Sequence, residues 1–333
     1  MEYYLSEEEQ KVYDDFVAVY DLIGTYHTDL EKKPVRLPLK MRECRFCGKG
    51  YKDACFKNEP HRFSNFLGNQ FLIWDEECDD CNKKFSKYEK VMSEWLGLER
   101  VISDIRPGKK QFTFSSANGN VQSRRIGEVV LIEKMKDGGF MGSVADGKVE
   151  IDVTPLPYVP VFVYAGFLKN ALSALPKAEL PKYRAFFIAL MNEQAGKAFS
   201  GFRRVEIVET NLETPSPVVT LYCRKAGIGG YPTHTVCLYV RNKLFQIPLL
   251  VDEENFKKNS ESATILPAHF VSKEATFVEP FLINRRIVVL EGWEKVIPEK
   301  RVLKMEIAPE DMKNLACAQM PPGFLDEIRK MQG

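Results

Sequence analysis

"DEECDDCNKKF", residues 75–85, sets two cysteines among five carboxylates and follows them with Asn82 and two lysines. The cysteines stand at C-x2-C spacing, and "CRFC" at 44–47 repeats that spacing across a thirty-residue gap. Two such knuckles bring four thiolates, enough to close a tetrahedral zinc site. The metal's binding energy then offsets the ordering of a loop too polar to build its own core. Cys44, Cys47, Cys78 and Cys81 are therefore the expected ligands of a structural Zn2+. A redox C-x2-C pair would not need a twin, and Cys55, between the knuckles, has no partner at ligand spacing.

Downstream of the second knuckle, Phe85, Tyr88, Val91, Trp95, Leu98 and Ile102 recur at helical steps, so the second cysteine pair is expected to open a helix. Between the knuckles lies "FKNEPHRFSNFLGNQFLIW", residues 56–74, with His61, the one histidine of the region, preceded by Glu59. The joint pattern C-x2-C, E-x-H, LGN and C-x2-C-N resembles the zinc-knuckle branch of the HNH endonucleases. It covers residues 42–95.

That resemblance implies a ββα-metal module with a general-base histidine on a hairpin and a metal ligand on the following helix. It assigns His61 as base, Asn82 as ligand and Asn69 as the residue that orients the histidine loop, with Asn65 as its rival. Glu59 is the nearest carboxylate, because Pro60 occupies the slot directly before the histidine. Phosphodiester hydrolysis suits these types. Imidazole titrates near neutrality and can activate water, and oxygen ligands hold Mg2+ or Mn2+ with positions left open for substrate. His61 as a zinc ligand or a buried structural histidine, and Asn82 as a simple helix cap, are the alternatives.

Charge tempers a DNA-binding reading. The 333 residues carry a formal net charge of +1, and residues 41–95 hold ten Lys/Arg against ten Asp/Glu. Lys83, Lys84 and Lys87 on the helix after the knuckle are the candidate phosphate contacts, while the carboxylates around the cysteines are expected to be solvated. No segment is apolar enough to span a membrane, and the acidic start "MEYYLSEEEQ" lacks the features of a secretory signal. A cytoplasmic protein with reduced thiols is expected.

The rest of the chain reads as α+β. "SEEEQKVYDDFVAVYDLIG" predicts an amphipathic helix over 7–24, and "EKKPVRLPLKMRE" an extended connection. Beyond about 105, glycine-punctuated strands precede two helices over 159–175 and 182–196, and alternating β-branched strands follow. The expected division is a helix and linker, 1–40, an HNH domain, 41–105, and a larger mixed α+β domain, 106–333. Nothing in that last segment is a catalytic signature. The glycine cluster before His234, as well as His269, Cys223, Cys237 and Cys317, read as ordinary core or surface residues. A small nuclease module joined to a larger non-catalytic domain suggests recognition or a switch worked by a small-molecule or protein activator. Bacterial defence effectors have such a layout. DNA is the expected partner, a homodimer would allow double-strand cleavage, and a zinc-stabilised binding module without catalysis is the rival function.

Overall fold

The structure is a computed structural model, and it describes residues 7–30, 32–107, 112–119, 121–126, 129–134, 144–145, 148–193, 203–210, 213–250, 266, 283–299 and 301–306. His269 and Cys317 lie outside the described residues. In chain order the elements are α1 (Glu7–Val19), β1 (Tyr20–His27), α2 (Asp79–Leu96), α3 (Leu98–Ile102), β2 (Thr113–Ser115), β3 (Val121–Ile126), β4 (Val129–Lys134), β5 (Val144–Ala145) and β6 (Lys148–Val153). They continue with α4 (Pro160–Ala174), α5 (Arg184–Met191), β7 (Arg204–Thr210), β8 (Val218–Arg224), β9 (His234–Val240), β10 (Lys243–Leu249), β11 (Ile283–Val289) and β12 (Arg301–Glu306). The chain is mixed α+β, as its pattern predicts.

Two compact units emerge, one from Met1–Met92 with Val159–Glu294 and the other from Ser93–Tyr158 with Lys295–Gly333. Each is discontinuous in sequence, unlike the linear divisions expected at 40 and 105. The first unit is built on a six-stranded sheet ordered β1-β8-β9-β10-β7-β11, antiparallel throughout. Alternation sorts its side chains onto two faces. Val208, Cys237, Tyr239 and Leu244 point to one face, where they meet Phe16 and Val19 of α1. On the other face Phe245 stacks against Phe167 of α4, with ring centroids 5.2 Å apart. Apolar cover on both sides explains why every residue of β9 and β10 is buried.

The N-terminal helix is shorter than its pattern predicts. It stops at Val19, and Tyr20–His27 runs on as an edge strand paired with β8 from Tyr20↔Arg224 to His27↔Val218. "YDLIGTYH" holds aromatic and β-branched residues and Gly24, which favour a pleated conformation over continued helix. Ile23, within the span predicted as amphipathic helix, is on the strand and 45% exposed. In the second unit, β2-β3-β4 and β12-β6-β5 form two antiparallel three-stranded sheets, and Val101, Phe114 and Val153 make its core.

The helix after the second knuckle forms, with two differences. Gly97 separates α2 from α3, and the buried stripe runs Phe85, Tyr88, Met92, Leu96, while Val91 and Trp95 are only half-buried. The buried stripe advances by steps of three, four and four, closer on average to the 3.6-residue turn than the steps of three, three and four through Val91 and Trp95.

Candidate functional site

The first knuckle is a tight turn in which the Gly48 amide donates to the Cys44 carbonyl at 2.7 Å and the Cys44 amide to Lys49 at 2.9 Å. Gly48 has φ of 71°, a left-handed conformation that glycine adopts without strain. Cys78 stands one residue before α2 and Cys81 in its first turn. The Arg45 amide bonds the Glu76 carbonyl at 2.9 Å and so ties the two knuckles.

All four Sγ atoms lie within 4.8 Å of one another, with Cys44 to Cys81 at 3.6 Å and Cys47 to Cys78 at 3.8 Å. Tetrahedral coordination at a Zn–S bond of about 2.3 Å requires Sγ atoms about 3.8 Å apart. The four cysteines thus form a site that can hold a metal ion such as zinc. A divalent ion bound there would favour thiolate at every ligand.

Of the five carboxylates around the cysteines, Asp80 is exposed as expected, whereas the other four are engaged by partners. Asp75 is buried, accepting from Arg36 Nε at 2.7 Å and lying 3.1 Å from Arg42 Nε. Glu76 pairs with Arg45, and Asp79 accepts from the amides of Asn58 and Lys57 at 3.0 and 3.2 Å. Glu77, 1% exposed, lies 3.5 Å from Lys169 Nζ, and burial pushes its carboxyl up to about 7. The acids serve as internal partners because basic chains and backbone amides from neighbouring segments close over them, which offsets part of their desolvation.

His61 sits at the base of a short hairpin, bridged antiparallel to Ile73, with the Arg62 amide donating to Leu72 at 2.9 Å. Asn69 is fully buried and staples the turn: its Nδ2 donates to Phe63 at 2.9 Å and Leu72 at 3.1 Å, while its Oδ1 accepts from the Leu72 amide at 3.0 Å. Asn65 reaches the imidazole itself. Its Nδ2 donates to the Asn69 carbonyl at 2.8 Å, which fixes the amide orientation, and lies 3.2 Å from His61 Nε2. Nε2 is then the acceptor and Nδ1 carries the proton; Nδ1 is buried and has no hydrogen-bond partner among the described residues. Burial, aided by the Lys169 charge, holds the imidazole below its ordinary value.

The remaining candidates fall into separate surroundings. Glu59 is half exposed and paired with Lys33, which holds its carboxyl below the usual range. Asn82 occupies the first turn of α2, half-buried, with its amide donating to Cys78 at 2.9 Å. Lys83 and Lys87 are exposed, whereas Lys84 is committed to the Met191 carbonyl at the end of α5. Cys55 is exposed, and its carbonyl accepts from the Asp79 amide at 2.8 Å.

Sequence reasoning missed α4 as the element that fixes the His61 loop. Lys169, 2% exposed, donates to the His61 carbonyl at 3.0 Å and lies 3.7 Å from Glu89. Asn170 accepts from the Ser64 amide at 2.8 Å and donates to Ser64 Oγ at 2.9 Å, and that hydroxyl in turn donates to Glu89 at 2.8 Å. The C-terminal carbonyls of α4 are capped from the same module. Arg45 donates to Leu172 and Leu175 at 2.9 Å each, Arg62 to Ser173 at 3.1 Å and Tyr26 to Ala174 at 2.8 Å. Guanidinium groups at a helix C-terminus satisfy its orphan carbonyls and complement its dipole. The one available signal was compositional: Lys169, Asn170 and Ser173 interrupt an otherwise apolar helix. No family model, no curated protein and no solved structure matches the chain.

Proposed function

We propose that this protein is a metal-dependent endonuclease of HNH type that hydrolyses DNA phosphodiester bonds, with residues 106–333 serving recognition or regulation. The observation that carries this reading is a half-buried histidine on a stapled hairpin, lying in the chain between two cysteine pairs and followed by a helix that starts at the second pair. His61 would take the proton from an attacking water through Nε2 once the Asn65 amide, 3.2 Å away, releases that lone pair. Asn69 and α4 keep the loop in place, so little reorganisation is needed at that step. Asn82, with Glu59 once it parts from Lys33, would hold Mg2+ or Mn2+, and the cation supplies charge stabilisation on the phosphate. Lys83 and Lys87 contact flanking phosphates. Regulation would come from a small-molecule or protein activator, as in a cytoplasmic bacterial defence effector, and a homodimer would give double-strand cleavage. Among the described residues no helix is long and apolar enough to cross a membrane.

A second reading, a zinc-stabilised nucleic-acid or protein binding module without catalysis, is favoured by one observation: Glu59 is engaged by Lys33. The two separate in one assay. Zinc-loaded protein should nick or linearise supercoiled plasmid only when Mg2+ or Mn2+ is added. DNA binding without cleavage under both cations would support the second reading.

A further inference from the structure

Asp75, Glu76, Glu77 and Asp79 are engaged by internal partners, and among the charges that residues 32–62 leave exposed, Lys32, Lys33, Lys40, Lys49, Lys52 and Lys57 outnumber Glu43, Asp53 and Glu59. Residues 32–62 carry ten Lys/Arg against three Asp/Glu, in a chain whose net charge is only +1. Five of these bases lie in "KKPVRLPLKMR", residues 32–42, which contains no acid. This strap is pinned at several points. Arg36 and Arg42 bond Asp75, the Leu37 amide donates to Asp75 Oδ2 at 2.5 Å, and Arg42 donates to Phe56 at 3.0 Å. Between the pins, Lys32 and Lys40 are exposed, and so are Val35 at 97%, Leu39 at 52% and Met41 at 66%. Pro34 and Pro38 stiffen the segment, and Pro38 has the polyproline values of φ −52° and ψ 141°. Aliphatic side chains held in water on a pre-ordered basic segment mark a contact surface. The strap also adjoins the histidine loop, since Lys33 pairs with Glu59 and Arg36 Nη1 donates to the Asn58 carbonyl at 2.8 Å.

We propose that residues 32–42 dock duplex DNA, with Lys32 and Lys40 on phosphates and Val35, Leu39 and Met41 against the minor groove. The proposal deepens the nuclease reading and rests on it for the identity of the polyanion. Charge complementarity selects an anionic partner. Single-strand platforms stack bases on aromatic rings, and the strap has none. Aliphatic and proline side chains are the types that wedge into the minor groove. A lipid surface is served by an amphipathic helix with a broad apolar face, which an extended strap ending in a three-residue 3-10 turn does not offer.

The test uses the full chain carrying His61→Ala, zinc-loaded and without added Mg2+ or Mn2+, so that binding is read without cleavage. Fluorescence anisotropy with a short labelled duplex is followed across a salt series. Each lost phosphate contact lowers the slope of log K against log salt by about 0.9, so Lys32→Ala/Lys40→Ala should lower it by about 2. Val35→Ser/Leu39→Ser/Met41→Ser should weaken binding about tenfold, about 1.4 kcal/mol, with the slope unchanged. Both variants should melt like the parent, because the altered side chains are exposed. Duplex binding indifferent to both variants overturns the proposal, as does strap-dependent binding that prefers single strands or phosphatidylserine vesicles. Cleavage by the unaltered protein is scored separately. Strap-dependent duplex binding without cleavage upholds the strap and removes the nuclease, and cleavage with strap-independent binding does the reverse.

Discussion

Lys169 shows what a single buried charge does here. Its ammonium is enclosed by the carboxylates of Glu77 and Glu89 and by the His61 carbonyl. Lys169→Met should leave Glu77 buried without its counter-charge and cost about 3–5 kcal/mol by denaturant melts, with part recovered in Lys169→Met/Glu77→Gln. His234 is a second buried group with a readable consequence. Its Nδ1 lies 2.6 Å from Tyr183 Oη, and burial pushes it down to about 4 from the ordinary 6.5. Between those values the unfolded chain binds the extra proton and the folded one does not, so stability is full above about 6.5 and falls as pH drops toward 4. A difference of that size is worth about 3 kcal/mol. Melts on either side of the window should show the loss in the parent and its absence in His234→Gln. At this scale the thiol cluster was legible because ligand spacing is local. Lys169 was not, since it meets His61 across more than a hundred residues and only a folded chain brings them together.

Among the elements, α4 carries most of the constraint on the histidine loop, and it packs closely against α2. A Cβ on Gly166 would fall 3.0 Å from Met92 Sδ, 3.2 Å from Met92 Cβ and 3.4 Å from the Tyr88 carbonyl. Gly166→Ala should therefore destabilise the protein by about 1–3 kcal/mol despite alanine's better helix propensity, as thermal melts would show. Periodicity found α4, α5 and the strands from β7 to β11 because each is a long run with one dominant period. It failed at residues 20–24, where the stripe of α1 runs without a break into β1. Partner choice decided that boundary, because β8 offers Tyr20–His27 an antiparallel ladder interrupted only by a bulge at Ile23. The register of α2 slipped for a related reason: Met92 and Leu96 compete with Val91 and Trp95 for the same face, and Met92 is the one that meets Gly166.

At the scale of the molecule, the four-cysteine cluster and the β-sheet belong to one unit that closes only when residues 159–294 return to the N-terminal segment. That return could not be read from local pattern, because edge strand β1 and its partner β8 lie about two hundred residues apart. The metal links to stability through the same unit. Purified protein should carry about one zinc per chain, and its removal by a chelator, or Cys44→Ser, should lower the melting temperature by exposing four crowded thiols with no central charge. The central claim, that His61 on its stapled hairpin is the base of a DNA-cleaving site, meets its most direct test in plasmid nicking with Mg2+ or Mn2+ by the parent and by His61→Ala. A fall in rate of about 10²–10⁴-fold, with zinc content and melting unchanged, is the predicted result; nicking by His61→Ala at the parent rate would contradict it.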